Sequence, residues 1–399
     1  MSSCQVCRKK INLSLIDMGL MPIANDLKKS KDNKCNLFPL EVLLCEDCKL
    51  FQLSVRINPQ SIFSDYVYHS SYSSSWLAHA KNFANKVKND IDFSQNNFIM
   101  EIASNDGYLL KNFDKSKFKI LGLEPAENVA DIARKNNIPT EAIFFNEDNA
   151  TYLKNKYGKP KLIIANNVLA HVPDIKDFLR ALDIVSAKET FISIEFPSVV
   201  NLIQDLQFDT IYHEHFTYLS LNTIENLINK LNLKVFRVEK LDTHGGSIRL
   251  WLAKKSNDIK IQKNVHLERS KELKSKIFDS ETLKLFSRQC FKRKDRFNNF
   301  LNEDKNKNLK IYAYGAAAKG ISFLNFCGDN CKKILGVFDK NKMKQGCYIP
   351  GLNIEILDPK HINEIRPDYI IILPWNLKKE IKKDLSFISN WGGKLISFE

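Results

Sequence analysis

Residues 98 to 110 read Phe98-Ile-Met-Glu-Ile-Ala-Ser-Asn-Asp-Gly-Tyr-Leu-Leu110. A short apolar run ends at Glu101, turn-forming residues follow as far as Gly107, and an apolar helical pattern then begins, so this stretch predicts a strand, a tight turn and a helix. Gly107 allows the backbone to approach a ligand closely, and the start of the helix supplies unpaired N–H groups. Because the carboxylates of Glu101 and Asp106 disfavour a phosphate here, the turn suits a cationic or hydroxyl-rich ligand.

Two further apolar runs follow at the spacing of an open α/β sheet. Residues 118 to 124 end in Glu124, the position at which such sheets present a carboxylate to ribose hydroxyls. Residues 161 to 165 end in Asn166 and Asn167. This order of acidic turn, acid and polar loop is typical of a class I S-adenosylmethionine (SAM) methyltransferase, whereas a dinucleotide-binding fold would require Gly-x-Gly-x-x-Gly, which is absent. A generic α/β domain with one glycine in its first turn is the alternative.

The composition is that of a globular chain. Its 399 residues, 27% charged and 44% apolar, suffice for two or three domains. No run of about 18 uncharged apolar residues occurs and no basic stretch precedes an apolar core, so we expect neither a membrane span nor a secretory signal, and a cytoplasmic location. The net charge of +14 favours anionic partners, among which a nucleotide diphosphate and a nucleic acid fit equally well.

Two Cys-x-x-Cys pairs near the N-terminus predict a metal site. Each pair can place two thiolates on one metal, and together they complete a closed, structural zinc site. Disulfides are the weaker alternative in a cytosolic chain. Cys35 lies between the pairs without a partner at such spacing, so we interpret it as an ordinary thiol. The predicted ligands are Cys4, Cys7, Cys45 and Cys48.

Residues 65 to 76 are dense in aromatic rings and hydroxyl groups. A serine-rich linker with aromatic anchors and a substrate-binding lip explain this composition equally well, since tyrosine and serine together bind sugars and bases. The candidate substrate contacts of such a lip are Tyr66, Tyr68, Ser71 and Tyr72.

Residues 212 to 215 read Tyr-His-Glu-His. Metal binding is disfavoured because the two histidines lack the i, i+4 spacing of a helical zinc site. An acid–base role fits better: an imidazole can remove a proton from a carbon beside a carbonyl, a nearby carboxylate can orient it, and tyrosine can donate to the developing oxyanion. A satisfied buried histidine with a surface neighbour is the structural alternative.

The later part of the chain extends the α/β pattern. Residues 243 to 251 read as a glycine turn and an alternating strand, predicted to form an edge of the same sheet near the site. A lysine-rich helical stretch follows and predicts a connector between domains, with apolar residues at helical spacing at Leu283, Phe286, Cys290, Phe291 and Phe297.

A second α/β unit begins at residue 309. It starts with a strand, a small-residue turn and a helix, and a second strand ends in Asp339. The first turn of this small Rossmann-like unit could hold a phosphate, with Lys319 close by. A purely structural duplicate domain is nearly as good an interpretation, since one such turn is a weak signal.

Together these motifs resemble the sugar C-methyltransferase family, SAM-dependent enzymes that attach a methyl group to a carbon of nucleotide-linked 4-keto-6-deoxy sugars in the biosynthesis of branched deoxysugars. The resemblance covers nearly the whole chain, and it departs from the family pattern at Ala103 and Lys49, where glycine is common. Besides the cysteine pairs, the motifs are Pro39-Leu40, Gln52-Leu53, Tyr-x-Tyr-x-Ser-Ser-Tyr-Ser at 66 to 73, Glu-Ile-x-Ser-Asn-Asp-Gly at 101 to 107, Asn-Asn-Val-Leu-Ala-His at 166 to 171, Tyr-His-Glu-His at 212 to 215, His-Gly-Gly-Ser at 244 to 247, Tyr-Gly-Ala-Ala-Ala-Lys-Gly at 314 to 320 and Leu-Pro-Trp-Asn at 373 to 376.

The resemblance implies an α/β fold in which a class I SAM-methyltransferase domain stands between an N-terminal four-cysteine zinc module and a C-terminal Rossmann-like domain. The implied cofactors are SAM and a structural Zn²⁺, and the implied partner is a nucleotide-linked keto-deoxysugar, with no nucleic acid and no membrane. The implied domains are a zinc module at 1–66, a methyltransferase domain at 67–255, a helical connector at 256–303 and a nucleotide-sugar-binding domain at 304–399.

Site residues are implied one by one. The catalytic base falls on His215, with Tyr212, Glu214 and His171 around the keto-sugar. The implied SAM contacts are Glu101, Ser104, Asn105, Asp106, Gly107, Glu124 and Asn166. The implied substrate contacts beyond the lip are His244 and Lys319.

Two rival functions are also compatible with the sequence. A SAM-dependent enzyme could methylate oxygen or nitrogen of a nucleotide sugar, which needs no ketone. Alternatively, a basic zinc module could bind nucleic acid, although Glu46 and Asp47 place acid at the metal and the surrounding sequence lacks interleaved basic and aromatic residues.

Overall fold

The computed structural model of the chain describes residues 2–31, 33–58, 74–303, 306 and 308–398. Among the helices so described, none is long and apolar enough to cross a membrane. The side chain of His244 lies outside the described part, as do all four predicted residues of the lip, Tyr66, Tyr68, Ser71 and Tyr72.

The described part contains strands and helices in alternation after an all-β N-terminal region. The strands are β1 (Leu13–Pro22), β2 (Leu37–Cys45), β3 (Leu50–Leu53), β4 (Phe98–Ile102), β5 (Lys119–Leu123), β6 (Thr140–Glu141), β7 (Leu162–Asn166), β8 (Phe191–Pro197), β9 (Thr217–Tyr218), β10 (Leu233–Leu241), β11 (Ser247–Lys254), β12 (Ile311–Tyr314), β13 (Val337–Phe338), β14 (Ile356–Leu357), β15 (Tyr369–Ile372) and β16 (Lys394–Ile396). The helices are α1 (Ser74–Asp90), α2 (Glu127–Lys135), α3 (Glu147–Tyr157), α4 (Ile175–Val185), α5 (Val199–Gln204), α6 (Leu221–Ile228), α7 (Lys263–Lys274), α8 (Ser280–Asn302), α9 (Ala318–Cys327), α10 (Ile362–Ile365) and α11 (Lys378–Asp384).

A seven-stranded sheet forms the centre of the molecule. Its strand order is β10-β11-β8-β7-β4-β5-β6, and β11 runs antiparallel to both of its neighbours whereas the other pairs are parallel. This is the class I methyltransferase fold expected from the sequence. The expected edge position of the 243–251 segment is wrong, because β11 lies inside the sheet, is buried at seven of its eight residues, and leaves β10 as the edge.

The sheet reverses its winding at β4. The chain passes from β4 to β5 and β6 on one side and then returns to β7 on the other side of β4. In open α/β sheets such a switch point, at the carboxyl ends of the strands, leaves the crevice in which ligands bind. Every residue of β4 and of β7 is buried, as expected for strands that are covered on both faces.

The N-terminal region forms a four-stranded sheet in the order β1-β2-β3-β9. Three strands come from the predicted zinc module, whereas β9 comes from the segment that directly follows the Tyr-His-Glu-His motif. Phe51 pairs with Tyr218 and Gln52 with Thr217. The module and the motif are therefore joined by backbone pairing.

The C-terminal sheet is parallel throughout, with the order β14-β13-β12-β15-β16. Helix α8 packs beside it and against β1, and one apolar core cluster joins this helix with residues of both sheets. Of the five apolar residues expected on the helix, Phe291 is 40% exposed, whereas Leu283, Phe286, Cys290 and Phe297 are buried.

Candidate active site

The turn after β4 has an unusual backbone. Ala103, Asn105 and Gly107 all have positive φ, at 52°, 51° and 79°. A Cβ on Gly107 would lie 2.7 Å from the side chain of Ile138, so this glycine is required by packing behind the turn. Ala103 takes up a left-handed conformation that glycine adopts without steric cost, which gives its departure from the family pattern a physical meaning.

Carboxylates concentrate at this turn. Burial, together with the charges of Asp106 and Glu124, raises the pKa of Glu101 well above its usual value. Burial also raises the pKa of Glu124 to about 7, although its carboxylate accepts hydrogen bonds from the backbone N–H groups of Asn105 and Ala126, both at 3.0 Å. A cationic ligand beside these groups would relieve their mutual repulsion.

Buried polar atoms without partners mark the crevice. Within the described residues, Glu101 Oε2, Ser104 Oγ and the side-chain amide of Asn166 make no hydrogen bond. Burying such groups unpaired is costly, so they point to a polar ligand. They come from the carboxyl ends of β4 and β7, which are neighbouring strands. The donor set, with carboxylates for a cation and for hydroxyls, fits SAM.

The Tyr-His-Glu-His motif is a tight turn. His215 N–H donates to the carbonyl oxygen of Tyr212 at 3.0 Å, and His213 and Glu214 form the corner. The first and last residues of a β-turn come close together, so the rings of Tyr212 and His215 lie 4.0 Å apart between centroids. The Tyr212 hydroxyl lies 2.9 Å from His215 Nε2.

The hydrogen bonds fix the tautomer of His215. Its Nδ1 lies 2.8 Å from the carbonyl oxygen of Thr210, which can only accept, so Nδ1 carries the proton. In the neutral ring Nε2 is therefore an acceptor, and the Tyr212 hydroxyl donates to it. Thr210, rather than the carboxylate of Glu214, thus orients the imidazole.

His171 lies beside this pair. Its ring centroid is 4.7 Å from that of His215, and its Nδ1 donates to the carbonyl oxygen of Glu214 at 2.7 Å. Burial lowers the pKa of His171 to about 4, partly offset by this hydrogen bond. His171 is therefore neutral at physiological pH and adds no positive charge beside His215.

The corner residues point towards the N-terminal region. The ring of His213 is buried with its edge against Phe38, at 6.0 Å between centroids. Glu214 Oε1 accepts hydrogen bonds from the backbone N–H of Asn25 at 3.2 Å and from its side-chain amide at 2.9 Å. Burial raises the pKa of Glu214.

Four thiols meet in the N-terminal region. The Sγ atoms of Cys4, Cys7, Cys45 and Cys48 all lie within 4.8 Å of one another. Two of the separations, 3.8 Å and 3.6 Å, match the spacing of roughly 3.8 Å between sulfurs that each lie about 2.3 Å from one tetrahedral zinc. The donor set therefore fits a closed zinc site.

Three family models match consecutive parts of the chain. They describe a zinc binding domain at residues 4–63, a methyltransferase domain at 78–238 and a C-methyltransferase C-terminal domain at 242–398. The C-methyltransferase NovU of Streptomyces niveus is 29% identical over 98% of this chain and 94% of its own length. The chain belongs to the SAM-dependent C-methyltransferases.

Solved structures also resemble the methyltransferase part. Magnesium protoporphyrin IX methyltransferase from Synechocystis PCC 6803 with bound S-adenosylhomocysteine is 14% identical, covers 45% of this chain and 83% of its own, and gives a TM-score of 0.35. The PH0226 protein from Pyrococcus horikoshii OT3 is 11% identical, covers 49% of this chain and 97% of its own, and gives a TM-score of 0.36. At these TM-scores neither likeness bears on the assignment.

The C-terminal unit of this C-methyltransferase touches the glycine loop that carries His244. Gly245 accepts a hydrogen bond from Gln207 Nε2 at 2.6 Å, and a Cβ there would collide with the ring of Trp375. Trp375 Nε1 in turn donates to the buried carboxylate of Asp209 at 2.7 Å. The Leu-Pro-Trp-Asn motif therefore packs directly on the methyltransferase part.

The first turn of the C-terminal unit is filled by the chain itself. Asp339 accepts a hydrogen bond from the Ala316 N–H at 2.7 Å, which puts a carboxylate at the place where the sequence predicts a possible phosphate site. Lys319 donates instead to Asn376 Oδ1 at 2.6 Å, with its ammonium 4.9 Å from the centre of the Trp375 ring. A phosphate at this turn is disfavoured while Asp339 occupies it.

A buried ionic cluster of the C-methyltransferase was missed by the sequence analysis. Glu195, at the carboxyl end of β8, contacts His79 Nε2 at 3.0 Å, Thr243 Oγ1 at 3.1 Å and the guanidinium of Arg249. Burial would raise the pKa of Glu195, but the hydrogen bond from His79 and the charge of Arg249 outweigh it and lower the pKa. The one signal of this cluster in the sequence is an acid near the end of a mostly apolar strand.

SAM affinity should weaken as the pH falls through about 7, the pKa of Glu124. Only the ionised carboxylate accepts from two ribose hydroxyls, so below that pH a proton must leave first, at a cost of up to about tenfold in affinity per pH unit. Calorimetry in buffers of different ionisation enthalpy would report the released proton. Glu124→Gln should flatten the pH dependence; an affinity of the unmodified enzyme that is constant from about pH 6 to 8 would contradict the assignment.

Proposed function

We propose that the enzyme transfers a methyl group from SAM to a carbon, C3, of a nucleotide-diphosphate-linked 4-keto-6-deoxy sugar, in the biosynthesis of a branched deoxysugar. The resemblance of the ordered motifs to the sugar C-methyltransferase family supports the substrate class. The pairing of Tyr212 with His215 supports the chemistry, and it is the observation on which the proposal mainly depends.

Methylation at a saturated sugar carbon needs a carbanion or enolate, and an imidazole is basic enough to form one only where an adjacent carbonyl group acidifies the C–H bond. His215 has the required form, because its Nδ1 proton is held by Thr210 and its Nε2 lone pair is available as a base. Tyr212 supplies a hydroxyl next to that lone pair. In an α-hydroxy or α-alkyl ketone the carbonyl oxygen and the acidic hydrogen on the next carbon are also close neighbours.

Tyr212 and His215 can therefore act at the same time on the ketone oxygen and on the hydrogen of the next carbon. In the proposed reaction the Tyr212 hydroxyl turns from His215 to the C4 ketone oxygen, and His215 Nε2 removes the proton from C3. Tyr212 then donates a hydrogen bond to the enolate oxygen as negative charge develops on it. Bound SAM supplies a methyl group on a sulfonium sulfur, to which the enolate carbon is a suitable nucleophile.

The surroundings of the pair favour this chemistry. His171 is neutral, so it does not donate a proton to the enolate in competition with methyl transfer. Tyr212, His215 and the corner residues lie in a site that is largely shielded from water. In a shielded site a hydrogen bond to a developing oxyanion is worth more than in water. The proposed catalytic residues are His215, Tyr212, Glu214 and His171.

The division of labour along the chain is part of the proposal. Residues 1–66 would form the zinc module, 67–255 the methyltransferase domain, 256–303 the connector and 304–399 the domain that holds the nucleotide. For the last of these, support comes from the contact of Trp375 with the His244 loop and from Lys319, a cation beside that contact.

The proposal is tested by the requirement for a ketone. The enzyme should methylate a nucleotide-linked 4-keto-6-deoxy sugar and should not act on the same sugar reduced at C4, whose C3 hydrogen is far less acidic. In D₂O with S-adenosylhomocysteine in place of SAM, His215 should also catalyse exchange of that hydrogen for deuterium. Equal methylation of the reduced sugar would contradict the proposal and favour transfer to oxygen.

A further inference from the structure

We propose that Asn25 is a positioning residue of the active site, through which the N-terminal module holds the turn that carries Tyr212 and His215. This inference rests on the proposed function of that turn. Asn25 lies in the loop after β1, 189 residues from Glu214 in the chain. No motif in the sequence links the two residues.

The contact is specific in its geometry. Asn25 donates twice to the same oxygen, Glu214 Oε1, from its backbone N–H at 3.2 Å and from its side-chain amide at 2.9 Å. Hydrogen bonds to a carboxylate are stronger than those between neutral groups. Glu214 Oε2, by contrast, has no hydrogen-bond partner within the described residues. One oxygen is thus anchored while the other is left for a further group in the site.

Anchoring Glu214 fixes its neighbours in the turn. Glu214 is a corner residue, and the turn is closed by the hydrogen bond from His215 N–H to the Tyr212 carbonyl oxygen. The carbonyl oxygen of Glu214 also accepts from His171. A shift of Glu214 would therefore move Tyr212, His215 and His171 together, and shifts of about 1 Å at reacting groups are costly to catalysis.

The N-terminal module also holds the other side of the turn. His213, the second corner residue, packs against Phe38, and β9 pairs with β3 directly after the turn. Among these contacts of the N-terminal module with the turn, that of Asn25 is a side-chain hydrogen bond to the carboxylate of Glu214. It is exposed, so replacing it opens no cavity in a core. The titratable and charged groups around Glu214 are His171, Tyr212, His213, His215 and Tyr218.

The test compares Asn25→Ala and Asn25→Asp with Asn36→Ala, an exposed asparagine of the same module. Loss of the amide donor should reduce kcat by about 10- to 100-fold on the keto-sugar, with the KM for SAM and the zinc content unchanged. Asn25→Asp should reduce it further, because two carboxylates would then face each other. Asn36→Ala should behave as the unmodified enzyme.

The pH profile separates positioning from simple destabilisation. Glu214 is one of the proposed catalytic residues, and the inference takes its ionised form as the active one. Because the amide of Asn25 favours that form, both variants should raise the pKa of Glu214 and move the acidic limb of the kcat profile to higher pH, Asn25→Asp further than Asn25→Ala. Unchanged rates and an unchanged limb in both variants would overturn the inference. So would a loss of rate that is matched by loss of zinc or of SAM affinity.

A measurement without substrate distinguishes this inference from the proposed function. In the zinc-loaded full chain labelled with carboxyl-¹³C glutamate, the signal of Glu214, identified by its absence in Glu214→Gln, should titrate at higher pH in Asn25→Asp. If the titration is the same in all variants, the inference is wrong. If it shifts while the unmodified enzyme fails to methylate any keto-sugar, the contact stands and the substrate assignment fails.

Discussion

His215→Asn should retain SAM binding and lose methyl transfer by a factor on the order of a hundred or more, because that is the usual contribution of a general base. Asparagine keeps a similar size and can still meet the Thr210 carbonyl, but it has no basic nitrogen to face Tyr212. The rate is measured by conversion of the keto-sugar, and SAM binding by calorimetry.

Two variants sharpen the test. Tyr212→Phe keeps the ring contact with His215 and removes the hydroxyl, so it should also lower kcat, by about 10-fold or more, through loss of the donor to the oxyanion. His266→Asn replaces an exposed histidine on α7 and should have no effect. Full activity of His215→Asn would rule out His215 as the base.

Removal of zinc should unfold the N-terminal module first and abolish activity with it. Structural zinc contributes about 10–16 kcal/mol in small zinc peptides, so a module held by four thiolates is expected to depend on it. Cys45→Ser should lose the metal, whereas Cys35→Ser, which changes a cysteine outside the cluster, should keep it. Metal content, circular dichroism and methyl transfer would be followed during chelation.

Contacts between the zinc site and the strand after the catalytic turn explain why loss of zinc should also reduce activity. Gln5, between two of the cysteines, donates its N–H to Gln52 Oε1 at 2.9 Å, and Gln52 pairs with Thr217 in β9, two residues after His215. Loss of the zinc loop therefore removes support from the strand that follows the catalytic turn. Full activity of a zinc-free enzyme with an unfolded module would contradict this coupling.

Local patterns predicted the fold because they follow from local chemistry. The strand and turn around Gly107 and the acid at Glu124 needed only periodicity and turn-forming residues, and the cysteine pairs needed only spacing. The helix expected after Gly107 is wrong in length, because the chain forms only a short 3-10 helix there, Leu110–Asn112. The class I sheet and the zinc cluster both follow from these signals. The place of β11 inside the sheet did not follow, because strand order depends on long-range pairing that alternation does not encode.

Contacts between distant segments set the limit of prediction at the site. The meeting of Asn25 with Glu214 and that of His79 with Glu195 join residues far apart in the chain, and no residue type in either segment signals its partner. The orientation of His215 by Thr210 was equally hidden, since a backbone carbonyl acceptor leaves no mark in the sequence. Only the closeness of Tyr212 and His215 could have been anticipated, from the i, i+3 geometry of a turn.

Glycines illustrate a related limit. Gly107 was interpreted as a point of approach to a ligand, but the space that its missing side chain leaves is next to Ile138. The sequence indicates that a small residue is needed at such a position, whereas the neighbour that requires it becomes visible only in the packed structure.

The central claim is that the methyl group goes to carbon, and NMR of the product tests it most directly. The enzyme would be incubated with methyl-¹³C SAM and a nucleotide-linked 4-keto-6-deoxy sugar, and the shift of the transferred label would be recorded. We expect a signal in the range of carbon-bound methyl groups, present with the unmodified enzyme and absent with His215→Asn. A signal in the range of oxygen-bound methyl groups would contradict the account.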